Sequence, residues 1–135
     1  MTTTLFTNMV TTTAPINRVQ SLLVDLSKLA AWNQSINDVQ VTDQGAKLSR
    51  TDEAINQQEL LQIAATSQQV IYLGQGPRLS YQLIFKLTTD QVGTLIHEEF
   101  MVLHATLPRP FLTLLKPTAK KAFYRNLTNL VRLAE

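Results

Sequence analysis

With 135 residues, 44% of them apolar and 16% charged, and a formal net charge of +2, the chain has the makings of one folded domain over residues 1–135, neither a charged linker nor a low-complexity tail. That mild charge argues against a nucleic-acid surface, which needs Lys and Arg massed on one face. The absence of cysteine excludes disulfides, thiolate nucleophiles and Cys-held metal; with no basic-then-apolar leader and no apolar run of transmembrane length, the expected location is the cytoplasm.

Over residues 5–12, alternating side chains rich in β-branched Thr predict a first strand. Thr13 can cap the next helix, and Pro15 suits its first turn, where a missing N–H costs nothing. Ile16, Val19, Leu22, Leu23 and Leu26 then recur at helical spacing as one apolar stripe. SKLAAWN follows too closely for a second long helix and reads as a turn or short helix ending before Asn33. The only tryptophan, Trp32, therefore stands at the far end of a helix, bend and short-helix bracket.

Beyond the bracket VQVTDQG, AKLSRTDEAIN, QQELLQIAAT, QQVIYLGQ, RLSYQLIFKLTTD and VGTLIHEEFMVLHA read as successive strands, with reversals at DQG, GQGP and TTDQVG. Short connections imply antiparallel neighbours. Residues 59–66 would also suit a helix and are assigned to a strand from their neighbours. The clearest alternation sets Tyr81, Leu83, Phe85 and Leu87 on one face. The three prolines of LPRPFLTLLKP break regular structure, and Thr118 offers a cap for a long closing helix. Its apolar stripe is Ala119, Ala122, Phe123, Leu127, Leu130, Val131 and Ala134. From residue 109 onward Arg109, Lys116, Lys120, Lys121, Arg125 and Arg132 are opposed only by Glu135 and the terminal carboxylate. This reads as a solvated helix face, with attraction to an anionic lipid surface or nucleic acid as the alternative.

The opening strand running into TTTAPINRVQSLLVDLSKLAAWN, the strand series through GTLIHEEF and the closing AFYRNLTNLVRLAE resemble, over nearly the whole chain, the helix-grip proteins of the START-like, Bet v 1-like (SRPBCC) superfamily, in particular its bacterial polyketide cyclase/dehydrase-like branch. The resemblance implies an α+β fold: a curved antiparallel sheet of about seven strands wrapped around a long C-terminal helix, with two short helices after strand 1 closing one end. It also implies an apolar cavity between sheet and helix. Members resembling this chain bind lipids, hormones or aromatic products, or act as cyclases, and many have no assigned reaction. None of the matching pieces is a catalytic signature, so the resemblance speaks to architecture rather than activity.

Within IHEEF and VLHA, a regular strand puts His97 and Glu99 on one face with Leu95, Met101 and Leu103, and Glu98 and His104 on the other with Ile96, Phe100 and Val102. Both faces are substantially apolar, and the pattern does not choose between them. In a cavity, an imidazole beside a carboxylate can do general acid–base work; on a sheet surface it is only a polar pair. Two neighbouring strand ligands without HExxH spacing do not make a metal site, and no metal or cofactor is expected. GQGP is no phosphate loop, since it lacks GxxxxGK[ST] and Pro77 removes an amide donor. Tyr72 and Tyr81 combine apolar contact with one hydrogen bond, which suits orienting a ligand.

Taken with the implied cavity, the ligand-pocket candidates are Trp32, Tyr72, Tyr81, Leu83, Phe85, His97, Glu99, Met101, Phe123 and Leu127. Trp32 reads first as packing at the bracket, with pocket contact as its lesser role, and Arg50 and Arg78 are candidates for attracting a carboxylated ligand at an entrance. The leading function is binding of a small hydrophobic molecule, lipid-like or aromatic, between sheet and closing helix. The alternative is a polyketide cyclase/dehydrase-type enzyme, and whether any reaction is catalysed stays open. A third class is a protein-interaction or membrane-associated module acting outward through FLTLL and the basic helix. The expected partner is the small hydrophobic molecule, with no nucleic acid and no stable membrane insertion.

Overall fold

Period-two alternation carries through to the structure, a computed structural model that describes residues 3–52 and 54–135. In chain order the elements are β1 (Thr3–Thr12), α1 (Ile16–Val24), a 3-10 turn (Leu26–Lys28), α2 (Leu29–Trp32), β2 (Ile36–Thr42), β3 (Gly45–Arg50), β4 (Gln58–Ala65), β5 (Gln69–Gln75), β6 (Leu79–Thr89), β7 (Thr94–Ala105) and α3 (Arg109–Ala134). The strands form a seven-stranded sheet in the order β1-β7-β6-β5-β4-β3-β2. Every neighbouring pair is antiparallel, as the short connections imply. The segment of ambiguous period is the strand β4.

One face of the sheet is the core. Phe6 on β1, Leu48 on β3, Leu61 on β4, Tyr72 on β5, Leu83 and Phe85 on β6 and Ile96 on β7 are all buried, and they pack against Leu127 and Leu130 of α3 and Val19, Leu22 and Leu23 of α1. An aromatic ladder crosses this face: Tyr81 stacks on Phe100 at 4.9 Å, Phe100 on Phe6 at 5.1 Å, and Phe123 of α3 meets both Phe100 and Phe6 edge-on. Such offset and edge-on pairs add to the burial of large apolar area.

Three local expectations change. The opening helix takes Pro15 as its N-cap with no side-chain hydrogen bond; the hydroxyl at work there is that of Thr12, which accepts from the Ala14 amide and donates to Glu135. The closing helix starts at Arg109 rather than near Thr118 and carries Pro117 inside it. Pro110 lies in its first turn, where no amide donor is needed, and Pro117 removes a single hydrogen bond from an exposed stretch, so neither ends the helix. Finally, AKLSRTDEAIN is a strand only as far as Arg50.

The Tyr72 hydroxyl donates to the Leu23 carbonyl, tying α1 to the sheet from within the core. Tyr72→Phe leaves that buried carbonyl without its partner and should lower the unfolding free energy in urea by about 1–3 kcal/mol.

Candidate functional site

At one end of the sheet the inward-facing register runs out in polar residues. Arg50 ends β3, Glu59 begins β4, and Tyr81 lies near the start of β6. Arg50 Nη2 donates to Glu59 Oε1 at 3.0 Å and to the Tyr81 hydroxyl at 3.2 Å, while that hydroxyl donates to the same Glu59 oxygen at 2.7 Å. The ion pair is buried, with only 10% of the Arg50 side chain and 4% of the Glu59 side chain exposed. Burial opposes the Arg50 charge, but Tyr81 and Glu59 outweigh it and hold the guanidinium above its ordinary pKa. Burial also drives the Tyr81 phenol far above its ordinary range, so it stays protonated as a donor.

Around this triad the polar groups are positioned by two segments. Asn56, fully buried in the loop after β3, donates to Glu59 Oε2 and to the Leu79 carbonyl and accepts from the Arg78 and Leu79 amides. Behind Arg50, the Ser35 hydroxyl accepts from Nη1 and itself donates to Asn33. The bracket that delivers Asn33 is in turn tied to α3, through Asn126 to the Gln34 amide and Asn129 to the Trp32 carbonyl. Only Arg50 Nε is left buried without an acceptor among the described residues of this cluster.

Arg50, Asn56, Glu59 and Tyr81 share the wall of a cavity of about 90 Å³ with Ala54, Ile55, Leu79, Phe100 and Phe123. That volume is well below the roughly 300–1,000 Å³ of small-molecule sites. A ring-sized guest needs more room than this cavity has in the structure.

Of the sequence candidates, Tyr81 and Phe123 line this cavity. Tyr72, Leu83, Phe85 and Leu127 are buried in the core around it. Trp32 is buried as well, edge-on to Phe85 at 6.4 Å, so the structure places it as a plug at the bracket; its indole N–H has no partner among the described residues. His97, Glu99 and Met101 lie on the other face of β7, because Ile96, Glu98 and Phe100 take the inner one. Glu99 accepts there from the Thr4 hydroxyl at 2.7 Å. His97 borders an open groove beside β1 with Met9, Lys120 and Tyr124. Arg78 is exposed, whereas Arg50 is interior.

No protein-family model matches the chain, and no curated protein does. Solved structures do. A START superfamily protein from Mycobacterium smegmatis superposes with a TM-score of 0.72 at 16% identity, over 96% of this chain and 98% of that one. The Zhui aromatase/cyclase from Streptomyces sp. R1128 gives 0.76 at 14% identity, over 99% and 94%. The di-domain ARO/CYC StfQ of the steffimycin biosynthetic pathway gives 0.75 at 9% identity, this chain spanning 51% of its length. The chain has the START-like helix-grip fold.

Two helix-grip residues of the site escaped the sequence reading altogether: Glu59, hidden in the ambiguous QQELLQIAAT, and Asn56, read as part of a strand. A signal existed. Arg50 continues the inward parity of Ala46 and Leu48, and Glu59 that of Leu61, so both polar residues sit in register with apolar ones. GQGP also gains a role in the helix grip. A Cβ at Gly74 would collide with the Tyr81 ring across the β5–β6 pair, and one at Gly76 with the Asn56 amide. The two glycines clear the space in which the cluster is built.

Proposed function

We propose that the chain takes a small, mainly apolar molecule bearing a carbonyl or hydroxyl oxygen into the helix grip and acts on it as a cyclase/dehydrase-type acid–base catalyst. The observation that carries this reading is the buried Arg50–Glu59–Tyr81 triad on a cavity wall that is otherwise aromatic and aliphatic. A buried ion pair is at best neutral for stability against apolar residues of the same size, so its presence beside a cavity points to use. Two of the structures it superposes on are described as aromatase/cyclase proteins, which supports the same reading.

The chemistry needs no further reagent. With the guest carbonyl accepting from Arg50 Nε, and from the Tyr81 hydroxyl once its single O–H turns from Glu59 to the guest, charge developing on that oxygen is met by donors already in the wall and Glu59 is freed to act as base. Glu59 takes the α-proton, the C–H electron pair becomes the new C=C bond, and the β-hydroxyl leaves as water with the proton returned from Glu59. A second reading, reversible binding without turnover, is favoured by the Glu59 carboxylate being already engaged by three donors. A cytoplasmic setting fits the cysteine-free composition.

The single tryptophan sits on the core aromatic cluster, so its fluorescence reports on the interior. Titration with a hydroxyanthraquinone should quench it saturably at one site. Tyr81→Phe should weaken this binding by about 1–2 kcal/mol while leaving binding of unsubstituted anthracene unchanged. A β-hydroxyketone incubated with the chain should lose water, and Glu59→Gln should slow that loss by about 10²–10⁴-fold. Binding without dehydration supports the carrier reading. Absence of saturable binding overturns both.

A further inference from the structure

We infer that the first half of α3 is a docking surface for an anionic lipid bilayer. This stands apart from whatever the cavity binds. Helix α3 has 26 residues but is gripped mainly along its second half: of its buried side chains, Leu112 alone precedes Asn126. The first half instead exposes apolar side chains. Leu114 is 76% and Phe111 44% exposed, one turn apart on the helix. Leu114 falls on one line with Lys121, Arg125 and Arg132 at i, i+7, i+11 and i+18, all four of them exposed.

The charge of this surface has one sign. Between Glu99 and Glu135 the sequence has no acidic residue. Among the described residues the ion pair formed is Arg50–Glu59, between β3 and β4, so no cation of α3 is held in an ion pair there. Two exposed apolar side chains flanked by Arg109, Lys116 and Lys121 make too small an apolar area for a stable protein partner, which needs about 1,000 Å² or more. The same set suits a fluid surface of lipid phosphates. Phe111 and Leu114 would enter the boundary between headgroups and acyl chains while the long cationic side chains reach the phosphates. No helix among the described residues is long and apolar enough to cross a membrane, so α3 would lie along the surface.

The placement links docking to the cavity. Phe123, on the cavity wall, is nine residues beyond Leu114, roughly 13 Å along the helix axis. The loop before α3 is tied to the loop bearing Arg78 by the Thr106 amide, and Arg78 is tied to Asn56. The docking end and the cavity wall bearing Asn56 and Phe123 therefore belong to one connected cluster, which would bring the cavity to the lipid.

Flotation of the full chain with phosphatidylcholine vesicles containing about one-third phosphatidylserine tests the inference, against pure phosphatidylcholine. The chain should float with the anionic vesicles alone and be released by roughly 0.5 M salt. Leu114→Ser with Phe111→Ser, and separately Lys116→Glu with Lys121→Glu, should each lower the bound fraction by about tenfold or more, with thermal melting unchanged because all four side chains are exposed. Flotation with neither vesicle, or equally with both, overturns the inference. So does a concentration-dependent dimer that disappears in Leu114→Ser without any vesicle binding, which would assign the face to a second copy of the chain.

Discussion

Glu59→Ala should destabilise the protein by about 3–5 kcal/mol, among the largest losses that any single substitution in this chain will produce. It strands a guanidinium that is nine-tenths buried, and it removes the acceptor of the Tyr81 hydroxyl and one acceptor of the Asn56 amide. Replacing both members of the ion pair with apolar residues of similar size, Arg50→Met with Glu59→Leu, removes the unpaired charge along with the pair. The double variant should therefore recover much of the loss, keeping a deficit of about 1–3 kcal/mol for the Tyr81 hydroxyl and the Asn56 N–H that still lack the Glu59 acceptor. Urea unfolding reads both values, and the hydroxyanthraquinone titration reads the other half of the expectation: the double variant should have lost binding that depends on the guest oxygen. A double variant as unstable as Glu59→Ala would mean that the triad is there to hold the loop after β3, not to meet a guest.

Stability should also fall as pH rises from about 4.5 to 7, through Glu98. This carboxyl is 1% exposed on the inner face of β7, and burial pushes its pKa from the ordinary 4.5 to about 7, opposed by the Asn8 amide that donates to it at 3.1 Å. Between those two values the native state holds a proton that the unfolded chain has released, so unfolding becomes easier with every step up in pH and the loss is complete above 7. The full difference is about 3 kcal/mol. Glu98→Gln keeps an oxygen for Asn8 and cannot ionise. Its stability relative to the native protein should be flat below pH about 4.5, climb across the window and level off above 7. Because the other carboxylates are common to both proteins, the difference isolates this one group. A constant difference from pH 4 to 8 would mean that Glu98 is ionised, or solvated, throughout.

These two acidic residues mark where the sequence was readable and where it was not. Strand and helix order follow from periodicity, since Tyr81, Leu83, Phe85 and Leu87 can share a buried face only in a strand, and the stripe of Phe123, Leu127 and Leu130 only in a helix. The face of β7 was undecidable from the chain because His97 and Glu98 have apolar companions on both sides. Pairing decides it: Phe100 meets Phe6 on β1 and Leu83 on β6, and Glu98 follows Phe100 inward. The helix start was misread at three prolines because a proline costs a helix only the hydrogen bond it would have donated and the room its ring takes, and the first half of α3 lies in the open. As for the site, Tyr81 and Phe123 were legible as large residues on buried stripes. Glu59 and Asn56 were not, because a polar residue in an apolar register looks like a break in the pattern until its partner from a distant strand is known.

The placement of β1 next to β7 governs how this chain can be made. β1 finds its partner only through Thr94 to Val102, some ninety residues later, and its other edge borders α3, which comes last of all. During synthesis at about 5–20 residues per second, β1 waits of the order of ten seconds with an unpaired Thr-rich edge before either neighbour exists. The strands β2 to β6 can meanwhile assemble as a meander of successive local pairs. Sheet closure and helix docking therefore fall at the end of folding, as contacts between the two termini, and they carry the high sequence separation that makes a fold slow to form. Chains released early would expose both β1 and the apolar face meant for α3, which makes the last forty residues the part on which escape from aggregation depends.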